Sequence, residues 1–110
     1  MHATKHNLNN LIVFIDYNNM QAYGNLETVL PLGNLIEKFK SFGFDVKEIN
    51  GHSRDEIIKS SQATNGSTKP IAVIAHTVKG KGIVAAENSS EWHHKAKISV
   101  GDVDDLLAGI

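Results

Sequence analysis

The segment Leu11–Gly24, LIVFIDYNNMQAYG, places a carboxylate (Asp16) and two amides (Asn18 and Asn19) at the end of a nearly unbroken apolar run. Carboxylate, amide and backbone carbonyl oxygens are hard donors of the kind Mg²⁺ takes, together with water and substrate phosphates. The same residues also suit a polar strand-to-loop turn without a ligand, because Asn is a good turn former. A second group, His76-Thr77-Val78-Lys79-Gly80-Lys81-Gly82, joins two ammonium groups to two glycines. Those glycines allow close backbone approach or positive φ. The combination can hold a phosphate, or it can form a turn with solvated lysines. It is not a Walker loop, since the spacing and the Ser/Thr are missing. His93 and His94 are adjacent, without the i, i+4 spacing that puts two ligands on one helical face, so no zinc site is expected there. His52 reads as a turn histidine or a ligand contact, and Trp92, the sole tryptophan, as a packing residue.

Positioning these groups takes strands and helices, and the hydrophobic pattern supplies them. Leu11–Asp16 suits a strand buried on both faces of a parallel sheet. Loops leaving the carboxyl ends of such strands are where open α/β sheets take ligands. A helix is expected to begin at Leu30-Pro31, carry Leu32, Leu35, Ile36 and Phe39 on one face, and stop at Gly43. Asp45–Ile49 alternates polar and apolar residues, which fits a strand nearer the edge. Ser53-Arg54-Asp55-Glu56 has the form of a capping box and should open a helix through Ile57 and Ile58 towards Ala63. Thr64–Thr68 is a short loop by composition, and Ile71–His76 is continuously apolar and hence central. Asn7–Asn10 reads as a helix end or turn, and Val103, Leu106, Leu107 and Ile110 as a short terminal helix.

The fold class that results is α/β, a parallel β-α-β-α-β sheet with right-handed crossovers. Leu11–Asp16 and Ile71–His76 should be neighbours, with Asp45–Ile49 outside them.

Composition narrows the function classes. A chain of 110 residues is one domain at most. A net charge of -1 produces no strong field for nucleic acid or an anionic membrane. The lack of Cys excludes disulfides, thiolate zinc sites and a cysteine nucleophile. No apolar stretch approaches the ~20 residues of a membrane-spanning helix. The N-terminus lacks the apolar core of a secretory signal, so the expected location is cytoplasmic.

Three pieces in order, NLIVFIDYNNMQAYG, INGH and AHTVKGKGIVAAENSSEWHHKAK, resemble the thiamine-diphosphate-binding region of transketolases, from about His6 to about Lys97. The resemblance implies thiamine diphosphate and Mg²⁺ as cofactors. It implies that the Asn18 side chain and the Met20 carbonyl ligate the metal, with Asn18 also beside the diphosphate. Lys79 and His93 then contact cofactor or substrate. The implied reaction is transfer of a two-carbon ketol unit between sugar phosphates, the cofactor stabilising the carbanion.

The departures from the family pattern carry expectations of their own. The family's Gly-Asp-Gly motif, whose Asp is the other protein ligand of Mg²⁺, precedes the Asn loop and has no counterpart here. Gly101-Asp102-Val103 is neither that motif nor in its place. His94 stands where the family usually has Gly. The glutamate that activates the aminopyrimidine belongs to a second domain, so no catalytic residue is assigned in this chain. The expectation is a partial cofactor domain that turns over only with missing segments or partner chains, and whose partner is a chain carrying the rest of the enzyme or, alternatively, another copy in a homo-oligomer. A non-catalytic relic or assembly module is the alternative, as is a piece of another thiamine-diphosphate enzyme such as 1-deoxyxylulose-5-phosphate synthase.

Overall fold

The computed structural model describes residues 1–62 and 66–109. These divide into two compact units, one of Met1–Tyr17 with Leu32–Thr77 and one of Asn18–Pro31 with Val78–Ile110. The expected positions of Ala63, Thr64, Asn65 and Ile110 lie outside the described residues. Among the described residues, no helix is long and apolar enough to cross a membrane.

The first unit is a three-stranded parallel sheet, with β1 (Ile12–Tyr17) and β4 (Asp45–Asn50) on either side of β5 (Ile71–His76). The register pairs Ile12 and Asp45 with Ile71, and Tyr17 and Asn50 with His76. This is the expected neighbour order, and the composition explains it. Ile71–Ala75 is buried residue by residue, as a strand covered on both faces must be. Ile49, Ile71, Val73 and Ala75 form the buried cluster, with Ile12 packed against it. β4 alternates polar and apolar residues and buries only Ile49.

β1 departs from the expectation of a strand buried on both faces. It occupies an edge of this sheet, and Phe14 is 44 % exposed. An unbroken apolar run reports what a strand can bury, and whether it is buried depends on a neighbour on its free side.

The helices also differ in their limits. α1 (His2–Lys5) runs into a turn in which Asn7 takes a φ of 50°. α3 (Leu35–Ser41) begins at Leu35, not at Pro31. Gly33 has a φ of 61°, which interrupts a right-handed path from the proline, and the Asn34 side chain then caps the helix by accepting from Glu37 N at 3.1 Å. Gly43 ends α3 with a φ of 85°, as expected. α4 (Arg54–Ser61) has only half of the expected capping box. Ser53 Oγ accepts from Glu56 N at 3.4 Å, but the Glu56 carboxylate accepts from Asn50 N at 2.8 Å. Glu56 thereby ties its helix to the end of β4.

The carboxyl edge of the sheet is joined strand to strand. Thr77 N donates to Tyr17 O at 3.2 Å, and Thr77 Oγ1 donates to the Asp16 carboxylate. Gly51 N donates to His76 O at 2.8 Å. A Cβ at Gly51 would overlap Thr77 Cγ2 and lie 3.1 Å from His76 O.

The second unit contains a two-residue hairpin, β2 (Met20–Gln21) with β3 (Gly24–Asn25), followed by α2 (Leu26–Val29). A 3₁₀ turn, Val84–Ala86, and the terminal helix α5 (Val100–Leu107) complete it. α5 has a full capping box, in which Asp102 Oδ2 accepts from Ser99 N at 2.8 Å and Asp102 N donates to Ser99 Oγ at 3.1 Å.

Two outcomes follow from this edge chemistry. Gly51→Ala should destabilise the fold by about 1–3 kcal/mol, because a well-packed corner must shift to admit a methyl; thermal or urea unfolding measures it. Phe14 on a bare strand edge should promote self-association. Light scattering should find larger species for the wild type than for Phe14→Lys at equal concentration.

Candidate functional site

Leaving β1, the chain turns at once. Asn18 Oδ1 accepts from Met20 N at 2.9 Å, a side-chain-closed turn of the kind Asn favours. Asn19 sits within it at a φ of 59°, a left-handed conformation that Asn tolerates better than most residues. Asn19 O accepts from Leu26 N at 3.0 Å, and Asn25 Oδ1 caps α2 by accepting from Glu27 N at 2.8 Å. The turn is therefore held from both sides, by the Asn18 side chain and by the start of α2. Asn19 Oδ1 is buried with no hydrogen-bond partner, and so is Gln21 Nε2. Buried polar groups without partners are rare and costly.

The glycine-lysine loop is equally constrained. Gly80 has a φ of 75°, and a Cβ there would overlap the Ala86 carbonyl. Asn88 N donates to Lys79 O at 2.9 Å, which fixes the backbone at the half-buried Lys79. The two lysines have different surroundings. Lys81 Nζ lies 3.4 Å from Glu87 Oε1, an oxygen that also accepts from Gly82 N at 3.2 Å.

His93 stacks edge-on against His94, with ring centroids 4.5 Å apart and planes at 87°. Its pKa is lowered, first by desolvation, then by the Lys79 ammonium and by His94. Lys79 is thus near enough to oppose the charging of His93. Trp92 has Lys95 Nζ 4.1 Å from its ring centre and lines a cavity of about 530 Å³ with Ile83, Val84 and Leu106.

Asn18, Met20, Lys79 and His93 all fall in the same compact unit. The structure joins Asn18 to Met20 directly, and the Lys79 charge opposes protonation of His93. Asp16 and His52 belong to the other unit. Asp16 is engaged by Thr77, and His52 is an exposed turn residue whose N donates to Asn50 Oδ1 at 2.9 Å. The sequence offers Asn19 only as one of the loop's amide donors, and the family resemblance assigns it nothing, although an Asn pair after a strand is itself a signal for a left-handed turn. The orphaned oxygen depends on burial, which no residue pattern displays.

Residues 1–107 match the family of the transketolase thiamine diphosphate binding domain. The chain belongs to this family. It is similar to an apulose-4-phosphate transketolase subunit from Phocaeicola vulgatus, with 36 % identity over 95 residues, covering 86 % of this chain and 34 % of that protein. The transketolase of Campylobacter jejuni superimposes with a TM-score of 0.77 at 36 % identity, over 84 % of this chain and 14 % of that one. A 1-deoxy-D-xylulose-5-phosphate synthase from Aliarcobacter butzleri is 38 % identical, but over only 58 % of this chain and 11 % of its own length. The chain spans about a third of the length of the curated transketolase subunits it matches. The domain is thus a thiamine-diphosphate-binding one by family.

The residues present fit part of a metal-diphosphate site. Asn18 Oδ1 keeps a lone pair beyond its bond to Met20 N, and Asn19 Oδ1 is an acceptor without a donor. Both are neutral, and among the described residues no group of three or more His, Cys, Asp or Glu could hold a metal ion. The donor set suits a hard cation that brings its own phosphate oxygens.

The backbone of the glycine-lysine loop can be tested directly. Gly80→Ala must relieve both a left-handed φ and an overlap with the Ala86 backbone, and should destabilise by about 2–4 kcal/mol. Gly82→Ala, with a φ of 100° but open space around it, should cost about 1–2 kcal/mol. Unfolding curves and amide shifts over residues 79–88 separate the two.

Proposed function

We propose that this chain is the diphosphate-holding part of a transketolase-type transferase. In this reading Mg²⁺ takes the Asn18 side chain and the Met20 carbonyl, with Asn18 also beside the diphosphate. Lys79 and His93 face the cofactor diphosphate or the sugar phosphate substrate. The supporting observation is the Asn18–Met20 turn, closed through Asn18 Oδ1, with the unpartnered Asn19 oxygen beside it in sequence. A charge-assisted bond from Lys79 to a phosphate would add to it. When bound, thiamine diphosphate supplies the carbanion chemistry of two-carbon ketol transfer. This chain's residues hold and orient the cofactor.

Turnover in this reading needs further protein. The chain contributes only neutral metal donors, so a carboxylate from a further segment or a partner chain completes the site. The same neutral donor set gives the second reading its weight, a non-catalytic module that retains the fold. A synthase of the 1-deoxyxylulose-5-phosphate type is less well supported, because that likeness stops at 58 % of the chain.

Titration calorimetry with Mg²⁺ and thiamine diphosphate decides between these readings. The chain alone should bind weakly, and adding a fragment that carries Gly-Asp-Gly should tighten binding. In that complex Lys79→Ala should weaken affinity by roughly ten- to hundredfold, the worth of a charge-assisted hydrogen bond. Asn18→Ala should raise the Mg²⁺ requirement. Tight binding by the lone chain would mean that a metal ligand has been overlooked, and no gain with the fragment would favour the non-catalytic module.

A further inference from the structure

We propose that His94 is a positioning residue, whose imidazole packs edge-to-face against His93 and fixes the orientation of that ring for an incoming phosphate. The proposal rests on the reading of His93 as a phosphate or substrate contact. It starts from a geometric fact: the two rings meet at 4.5 Å and 87°, the arrangement in which the positive edge of one ring faces the negative face of the other. Both histidines are exposed, so surrounding packing alone does not hold the His93 ring, and the neighbouring ring is its defined aromatic contact. An exposed imidazole without such a contact would sample several rotamers and lose entropy on meeting a ligand.

The electrostatics point the same way. Desolvation disfavours protonation of His93 first, followed by the Lys79 ammonium and the neighbouring His94. With its charge disfavoured, His93 waits as a neutral ring that can donate one hydrogen bond and accept another. A phosphate dianion entering beside Lys79 would relieve the repulsion and favour the charged, doubly donating form. Binding should therefore be accompanied by proton uptake at His93, and Lys79, His93 and His94 should respond to phosphate as one cluster. His94 acts on the ligand through His93.

The test is a histidine-resolved NMR titration of the full chain, with inorganic pyrophosphate as the probe. Three proteins suffice: the wild type, His94→Phe and His94→Gln. Phe keeps an aromatic edge and removes the titrating group, whereas Gln removes the ring. In the absence of pyrophosphate, the wild-type His93 should titrate below the usual histidine range. Both variants should move that titration upward, and at the pH plateaus only His94→Gln should remove the ring-current shift that an adjacent aromatic ring imposes on His93. Pyrophosphate should raise the His93 titration in the wild type, and its affinity should fall by roughly two- to tenfold in His94→Gln, the worth of an aromatic pair, and be largely retained in His94→Phe.

If pyrophosphate binds the wild type and His94→Gln equally, and the His93 ring signals coincide, the positioning role is overturned and the phosphate site stands. If pyrophosphate perturbs neither Lys79 nor His93 in any of the three, the site reading itself fails and the proposal falls with it.

Discussion

The junction at the carboxyl edge of the sheet is the constraint on which the rest depends. Thr77 bonds Asp16 through its side chain and Tyr17 through its backbone, while Gly51 fits against Thr77 only because it has no Cβ. Three strands that could slide or splay are thereby locked at the end where their loops depart. Parallel strands are slightly less strongly paired per residue than antiparallel ones, so a side-chain tie across their ends has much to contribute. Asp16 therefore does structural work that a reading of the carboxylate as a metal donor would miss.

Beyond that edge, the loops are shaped by local chemistry. The Asn loop folds on itself through an amide that closes the turn, a left-handed Asn and a cap on the next short helix. The glycine-lysine loop is shaped by a glycine pressed against its own 3₁₀ turn and by an amide that anchors Lys79 O. In both, backbone geometry is specified before any ligand is considered. Such preorganisation lets a loop bind without losing much entropy. The two lysines differ in what they act on, Lys81 pairing with Glu87 while the Lys79 charge opposes protonation of His93.

Much of this was legible in the residues. The continuous apolar run of Ile71–Ala75 identified the central strand, the alternation in Asp45–Ile49 identified an edge strand, and the neighbour order followed. What was not legible depended on non-local or conformational facts. The start of α3 moved from Pro31 to Leu35 because Gly33 adopts a positive φ, and a glycine's identity permits that without requiring it. Glu56 left its expected capping role because the end of β4 offered a backbone N–H to accept from. The exposure of β1 reflects what flanks the sheet, which no periodicity encodes. For the site, spacing nominated the loops, while the closed Asn18 turn and the orphaned Asn19 oxygen required three dimensions.

The central claim is that a divalent cation carrying a diphosphate settles on the Asn18–Met20 turn. Manganese can stand in for magnesium there, and its unpaired electrons broaden the NMR signals of nearby nuclei. With Mn²⁺ and thiamine diphosphate added at low stoichiometry to the labelled chain, the amides of residues 18–21 should broaden first and most, and the Asn18→Ala chain should lose that focus. Broadening spread evenly over the acidic surface, with no focus on residues 18–21, would contradict the account.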